Sequence, residues 1–217
     1  MTAKLVIGNK NYSSWSLRAW LMLREGGIPF DEHRIKLDEP DSAANIAEFS
    51  EAGRVPVLIL DGQAIWDSLA IAETVAERWP DAKLWPEDPA ARAHARSISA
   101  EMHSGFEVLR GQMPMNCRAM GRKVPLPDEL TEDIDRVFHI WGDCEKRYGG
   151  PWLFGHDFSI ADAMYAPVVL RFRTYGINLP DTAKVYANRL LESNSMQEWL
   201  TSAETEIEVI DREEIGQ

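Results

Sequence analysis

Apolar positions in the first third of the chain switch repeatedly between the two-residue period of a strand and the longer period of a helix. Residues 4–9 are a short apolar, β-branched run that predicts a strand. After polar residues 10–14, Leu17, Trp20, Leu21 and Met22 mark a helix over 15–25, stopped by Gly26-Gly27 and Pro29. Residues 30–37 predict a second strand, and 40–50 a short, weakly helical piece. Residues 55–60 are a strongly apolar strand, turned by Asp61-Gly62 into 63–66 as a hairpin. Leu69, Ala72, Val75 and Ala76 then share one face of a helix over 68–79. A crossover start and a hairpin finish imply a mixed sheet covered by helices.

Residues 80–89 (PDAKLWPEDP) break the pattern with three prolines and three acids, the composition of a linker. Everything beyond reads as helix. Ile98, Met102, Phe106 and Leu109 predict one over 90–110, and Leu130, Ile134, Val137, Phe138 and Trp141 another over 128–148, ended by Gly149-Gly150. A helix over 159–175 and two shorter ones complete a bundle. The expected organisation is an α/β domain over 1–80, a linker over 81–89 and an all-α domain over 90–217.

Composition narrows the function. A chain of 217 residues can hold two small cores. The formal charge of −12 has the wrong sign for a nucleic-acid partner, though it leaves room for a basic pocket that takes a small anion. The longest apolar run, residues 55–60, is far short of a membrane span, and no signal peptide is visible, so a cytoplasmic protein without a membrane partner is expected. Cys117 and Cys144 lack CxxC spacing, and the five histidines form no metal-ligand pattern, so no metal is expected. P-loop, GxGxxG and GxSxG motifs are absent.

Chemistry is therefore sought at junctions between elements. Ser13 or Ser14 should cap the first helix, as serines commonly do. The same helix terminus favours an anion, and a thiolate held there would have its pKa lowered. Arg54-Val55-Pro56-Val57 opens a buried strand with a proline; a cis Val55-Pro56 bond would let the Val55 backbone pair with an extended peptide. Trp66-Asp67-Ser68 is a second strand-to-helix junction, able to hold a carboxylate at the helix start and an amine at Asp67. All three could open on one sheet edge. A tripeptide with a charged end and a central thiol would fit them.

The order of strand, SSWS loop, RVPVL and DS-helix resembles the N-terminal domain of the glutathione S-transferase superfamily, and SSWSLR is most similar to its serine-type members, including the zeta class. In the second half, Phe158-Ser159-Ile160-Ala161-Asp162 resembles the family's structural capping box. The resemblance implies a thioredoxin-like first domain, an all-helical second domain, glutathione as co-substrate and a homodimer. It makes Ser13 the leading hydroxyl for the glutathione sulfur, with Ser14 close behind. It gives Val55 and Pro56 to the cysteinyl backbone, Asp67 and Ser68 to the γ-glutamyl end, and Lys36 and Arg54 to the glycyl carboxylate. Trp15, Met113, Met115, Arg118 and Arg171 are the expected walls for a small electrophile. The implied activity is glutathione transfer. A maleyl-type cis–trans isomerase is the alternative, although the zeta class arginine of the core helix falls at Thr174, with Arg171 and Arg173 nearby. A non-catalytic glutathione-binding module is a further one. Thiol–disulfide exchange at the first loop is excluded by the lack of a cysteine there.

Overall fold

The computed structural model describes residues 3–217. Strands β1 (Ala3–Ile7), β2 (Phe30–Arg34), β3 (Val57–Leu60) and β4 (Gln63–Ile65) form one sheet in the order β2-β1-β3-β4. β1 is parallel to β2 and antiparallel to β3, which is antiparallel to β4. A parallel pair needs a crossover, and α1 (Ser14–Glu25) supplies it. The β3–β4 pair needs only a two-residue turn, with φ of 51° at Asp61 and 81° at Gly62, the type I′ geometry that Asp-Gly favours. This is the mixed sheet expected from the pattern.

Two strands differ from expectation at their ends. β2 stops at Arg34 rather than running to residue 37, because the Leu37 N–H donates to Asn9 Oδ1 at 2.7 Å instead of to the ladder. β3 begins at Val57, so Val55 and Pro56 precede the paired segment.

Successive β1 side chains face opposite ways. Leu5 and Ile7 join the main core, with α1 and α3 (Ser68–Arg78), while Val6 packs with Ile35, Ile46 and Val57 beneath α2 (Ser42–Ala47). The main core continues into the helical part without a break: Trp20 of α1 meets Trp199 edge-on at 5.3 Å. The remaining helices are α4 (Pro89–Ser104), α5 (Glu107–Gln112), α6 (Asp128–Tyr148), α7 (Ile160–Tyr175), α8 (Asp181–Leu191) and α9 (Asn194–Glu204). Among the described residues no helix is long and apolar enough to cross a membrane.

The single helix expected over 90–110 is two. α4 ends at Gly105, where a Cβ would stand 2.9 Å from the Glu101 carbonyl oxygen, and Phe106 adopts φ 57° to bury its ring. Asp133 Oδ2 then accepts the Leu109 N–H at 3.0 Å near the start of α5. This break turns Arg110 toward the N-terminal part.

α7 is the axis of the helical part, with every residue buried except Arg173, and it runs unbroken through Pro167. Its start is the expected capping box: the buried Asp162 accepts the Ser159 N–H and Oγ–H, each at 2.8 Å, and the Leu153 N–H at 3.0 Å. α1 packs along α7, which sets the first turn of α1 beside the last turn of α7.

Candidate active site

Two adjoining cavities open where β1 passes to α1 and the segment before β3 passes under them. One, of about 640 Å³, is lined by Trp15, Arg54, Val55, Pro56, Asp67 and Ser68, together with His103 and Arg110 of the helical part. The other, of about 380 Å³, is lined by Ser13, Ser14, Arg110 and Arg171, among others. Trp15, Arg54, Val55 and Arg110 border both. Five of the sequence candidates thus share the first cavity with Trp15, and both serines lie in the second.

Ser13 is the N-cap of α1: its Oγ accepts the Ser16 N–H at 3.3 Å and lies 2.7 Å from Ser16 Oγ. Ser16 Oγ in turn accepts the Gly8 N–H at 3.0 Å. Either hydroxyl of the Ser13–Ser16 pair can be the donor. When Ser13 donates, its proton is engaged; when Ser16 donates, Ser13 receives two hydrogen bonds and its own proton is released toward the cavity. Ser14 differs. Its Oγ accepts from Arg171 Nη2 at 3.3 Å, and its proton has no acceptor within the helix start.

Arg171 is buried, and its Nε and Nη1 have no hydrogen-bond partner. Burial, reinforced by the Arg110 charge, pulls its guanidinium down to about 10. Arg18, one turn into α1, is fully buried with all three guanidinium nitrogens unpartnered, and burial with the neighbouring Arg171 and Arg110 charges pulls it down to about 9. Trp15 ties the group together, its ring centroid lying 4.3 Å from the Arg18 guanidinium and 5.4 Å from that of Arg110. Three arginines converge with no carboxylate salt-bridged to any of them within the described residues. In a chain of net charge −12, that is a local reversal of sign suited to an anion.

At the other end, Asp67 caps α3 by accepting the Leu69 N–H at 3.0 Å, and its second oxygen lies 3.1 Å from His103 Nε2. Ser68 Oγ is buried without a partner at the start of the same helix. An unpartnered hydroxyl beside free helix amides suits a carboxylate. The Val55-Pro56 peptide is cis. Val55, unpaired in the sheet, lines both cavities.

Four candidates lie elsewhere or serve other partners. Lys36 faces Glu208 at 3.6 Å, in a separate cavity with Lys10, Glu32 and Arg34, because the C-terminal segment brings its acids to that side. Met113 and Met115 are fully buried in the core, the ordinary fate of methionine at helical spacing. Arg118 spends its guanidinium on the Glu206 and Glu208 carbonyls and on Tyr12 Oη. The structure does not bring these four to the pocket. Neither thiol lines the two cavities, and burial pushes Cys117 and Cys144 up to about 12. A further cavity of about 580 Å³, lined by Trp141, Val185 and the 149–153 loop, contains none of the candidates.

Comparison with known proteins decides the family. The family model for the glutathione S-transferase N-terminal domain matches residues 12–78, and that for the C-terminal domain matches residues 127–199. The chain belongs to the glutathione S-transferase superfamily.

Its curated relatives include a probable maleylacetoacetate isomerase of Caenorhabditis elegans, 28% identical with 83% of this chain and 82% of that protein covered. Others are a maleylacetoacetate isomerase of Rattus norvegicus, 29% identical over 76% of each, and a stringent starvation protein A homolog of Coxiella burnetii, 25% identical over 91% of each. Among solved structures, a glutathione transferase homolog from Burkholderia with bound glutathione superposes with a TM-score of 0.72 at 24% identity, covering 95% of this chain and all of that one. The fold is therefore that of the superfamily, a small mixed sheet with helices followed by a helical domain.

Within this superfamily member, sequence reasoning missed Arg18, His103, Arg110, Arg212 and Glu213, all of which meet at or beside the two cavities. Arg18 alone left a visible trace, as a charge set inside the apolar run 17–23.

Proposed function

We propose that this protein binds glutathione across the two cavities and acts as a glutathione transferase, using the start of α1 to hold the thiol as thiolate. The observation that carries the reading is the pair of shielded hydroxyls, Ser13 and Ser14, set at a helix N-terminus beside a buried arginine to which no carboxylate is salt-bridged. The α1 amides, the serine hydroxyls and the Arg171 charge all stabilise negative charge at that point. Ser13 donates to the sulfur once Ser16 supplies the hydrogen bond in return, and Ser14 holds Arg171. The Val55 backbone takes the cysteinyl unit, Ser68 with the α3 amides the γ-glutamyl carboxylate, Asp67 the amine, and Arg54 the glycyl carboxylate. Thiolate attack then forms a carbon–sulfur bond and expels the leaving group of the electrophile, which rests against Trp15, Arg110 and Arg171. The same family reading makes the protein a homodimer.

A second reading has its own support. Arg110 and Arg171 beside the thiol position suit an electrophile that carries carboxylates, and several relatives are named maleylacetoacetate isomerases. In an isomerase the thiolate adds to the double bond, the resulting single bond rotates, and the thiolate leaves, so glutathione is not consumed. Glutathione consumption separates the two. With an activated aryl halide, the transferase reading expects one glutathione lost per product. With a maleyl diacid, the isomerase reading expects product with the glutathione pool unchanged. A protein that is retained on immobilised glutathione yet does neither would leave only a binding module.

A further inference from the structure

Residues 206–217 return from α9 across the N-terminal part as a strap pinned at both ends. At one end the buried Glu206 carboxylate accepts the Lys10 N–H at 2.7 Å and the Asn11 N–H at 3.0 Å, while Arg118 grips the carbonyls of Glu206 and Glu208. At the other, Glu214 accepts from Tyr12 Oη and Asn116 Nδ2, each at 2.7 Å, and pairs with Arg122. Between these anchors, Ile210, Arg212 and Glu213 form a wall of the cavity that holds Ser13, Ser14 and Arg171. Arg212 also reaches Asp38 on the segment after β2.

The charged lining of that cavity is four arginines, Arg54, Arg110, Arg171 and Arg212, and a single carboxylate, Glu213. The other strap glutamates have structural work: Glu206 and Glu214 are anchors, and Glu208 pairs with Arg34 and Lys36. Glu213 has only the adjacent Arg212, at 3.6 Å, and no hydrogen bond to its carboxylate within the described residues. Burial raises its pKa, against the pull of the Arg212 and Arg171 charges. A half-buried carboxylate with no anchoring role acts on whatever shares its cavity.

We propose that Glu213 is a specificity-determining residue of this pocket, its carboxylate offsetting the arginine charges and so setting how strongly an electrophile with its own anionic group is held beside Arg171. The proposal rests on the reading of the cavity as the glutathione site, and it adds the strap to that site.

The test compares binding of S-benzylglutathione and S-(4-carboxybenzyl)glutathione by calorimetry, which needs no turnover. Glu213→Gln keeps the side chain's shape and is expected to tighten the carboxylated ligand about five-fold while moving the uncharged one by less than about 1.5-fold. Asp211→Asn, an exposed strap acid outside the cavity wall, is expected to move neither. An equal shift for both ligands, no shift, or the same shift in Asp211→Asn overturns the proposal. A native protein that binds neither glutathione nor either conjugate overturns the site assignment first, and the role of Glu213 with it.

Discussion

Arg171→Met is expected to yield a protein that is more stable and nearly inactive. Arg171 is 4% exposed, two of its guanidinium nitrogens have no hydrogen-bond partner, and burial with the Arg110 charge outweighs the opposing pull of Glu213. A buried charge that no carboxylate directly pairs is a standing cost to the fold, and an apolar side chain of similar length removes it. The unfolding free energy should rise by about 1–2 kcal/mol, read as a shift of the urea midpoint at unchanged slope. The same change removes the cation that donates to Ser14 Oγ, and turnover with glutathione should fall about a hundredfold, the scale of losing one preorganised donor at a developing anion. The two effects must have opposite signs. A variant that is less stable and fully active would make Arg171 a structural residue.

Asp162→Ala is the largest expected loss of stability. The carboxylate is fully buried and satisfies three donors at once, the Ser159 N–H and Oγ–H and the Leu153 N–H. Removing it leaves buried donors unpaired at the start of the helix that supports Arg171, at a cost of about 3–5 kcal/mol. Chemical denaturation of native, Asp162→Ala and Asp162→Asn proteins measures this.

The pH dependence has a definite sign. Burial outweighs the donors and raises the Asp162 carboxyl from 3.8 to about 6. A carboxyl with a raised folded pKa takes up protons on folding between those values, so its contribution to stability falls as pH rises through that window. The stability advantage of native protein over Asp162→Asn, which does not titrate, should therefore be larger at pH 4 than at pH 7.

How much was legible in the chain follows from how local each signal is. The Asp61-Gly62 turn, the α6 termini and the Ser159–Asp162 box were readable because punctuation and hydrogen-bond partners lie within a few residues of one another. That Ser13, Ser14, Val55, Asp67 and Ser68 border one pair of adjoining cavities was readable for the same reason, each lying at or next to an element boundary. The break at Gly105-Phe106 was not. One glycine in a helical pattern is tolerated, and the turn there depends on burial of the Phe106 ring and on Asp133, far along the chain. His103, Arg110 and Glu213 come from α4, α5 and the C-terminal strap, so only folding puts them together. Met113, Met115 and Arg118 show the converse, residues whose chemistry suited a pocket but whose partners lie in the core or the strap.

Ionisation of glutathione bound to the native protein, followed by its thiolate absorbance across a pH titration, bears most directly on the claim that the α1 terminus keeps the sulfur charged. The bound thiol should titrate about two units below the value near 8.5 of an unperturbed thiol, and Ser13→Ala should return about one unit of that shift with affinity little changed. A bound thiol that titrates like the free one, or an ionisation indifferent to alanine at both Ser13 and Ser14, would contradict it.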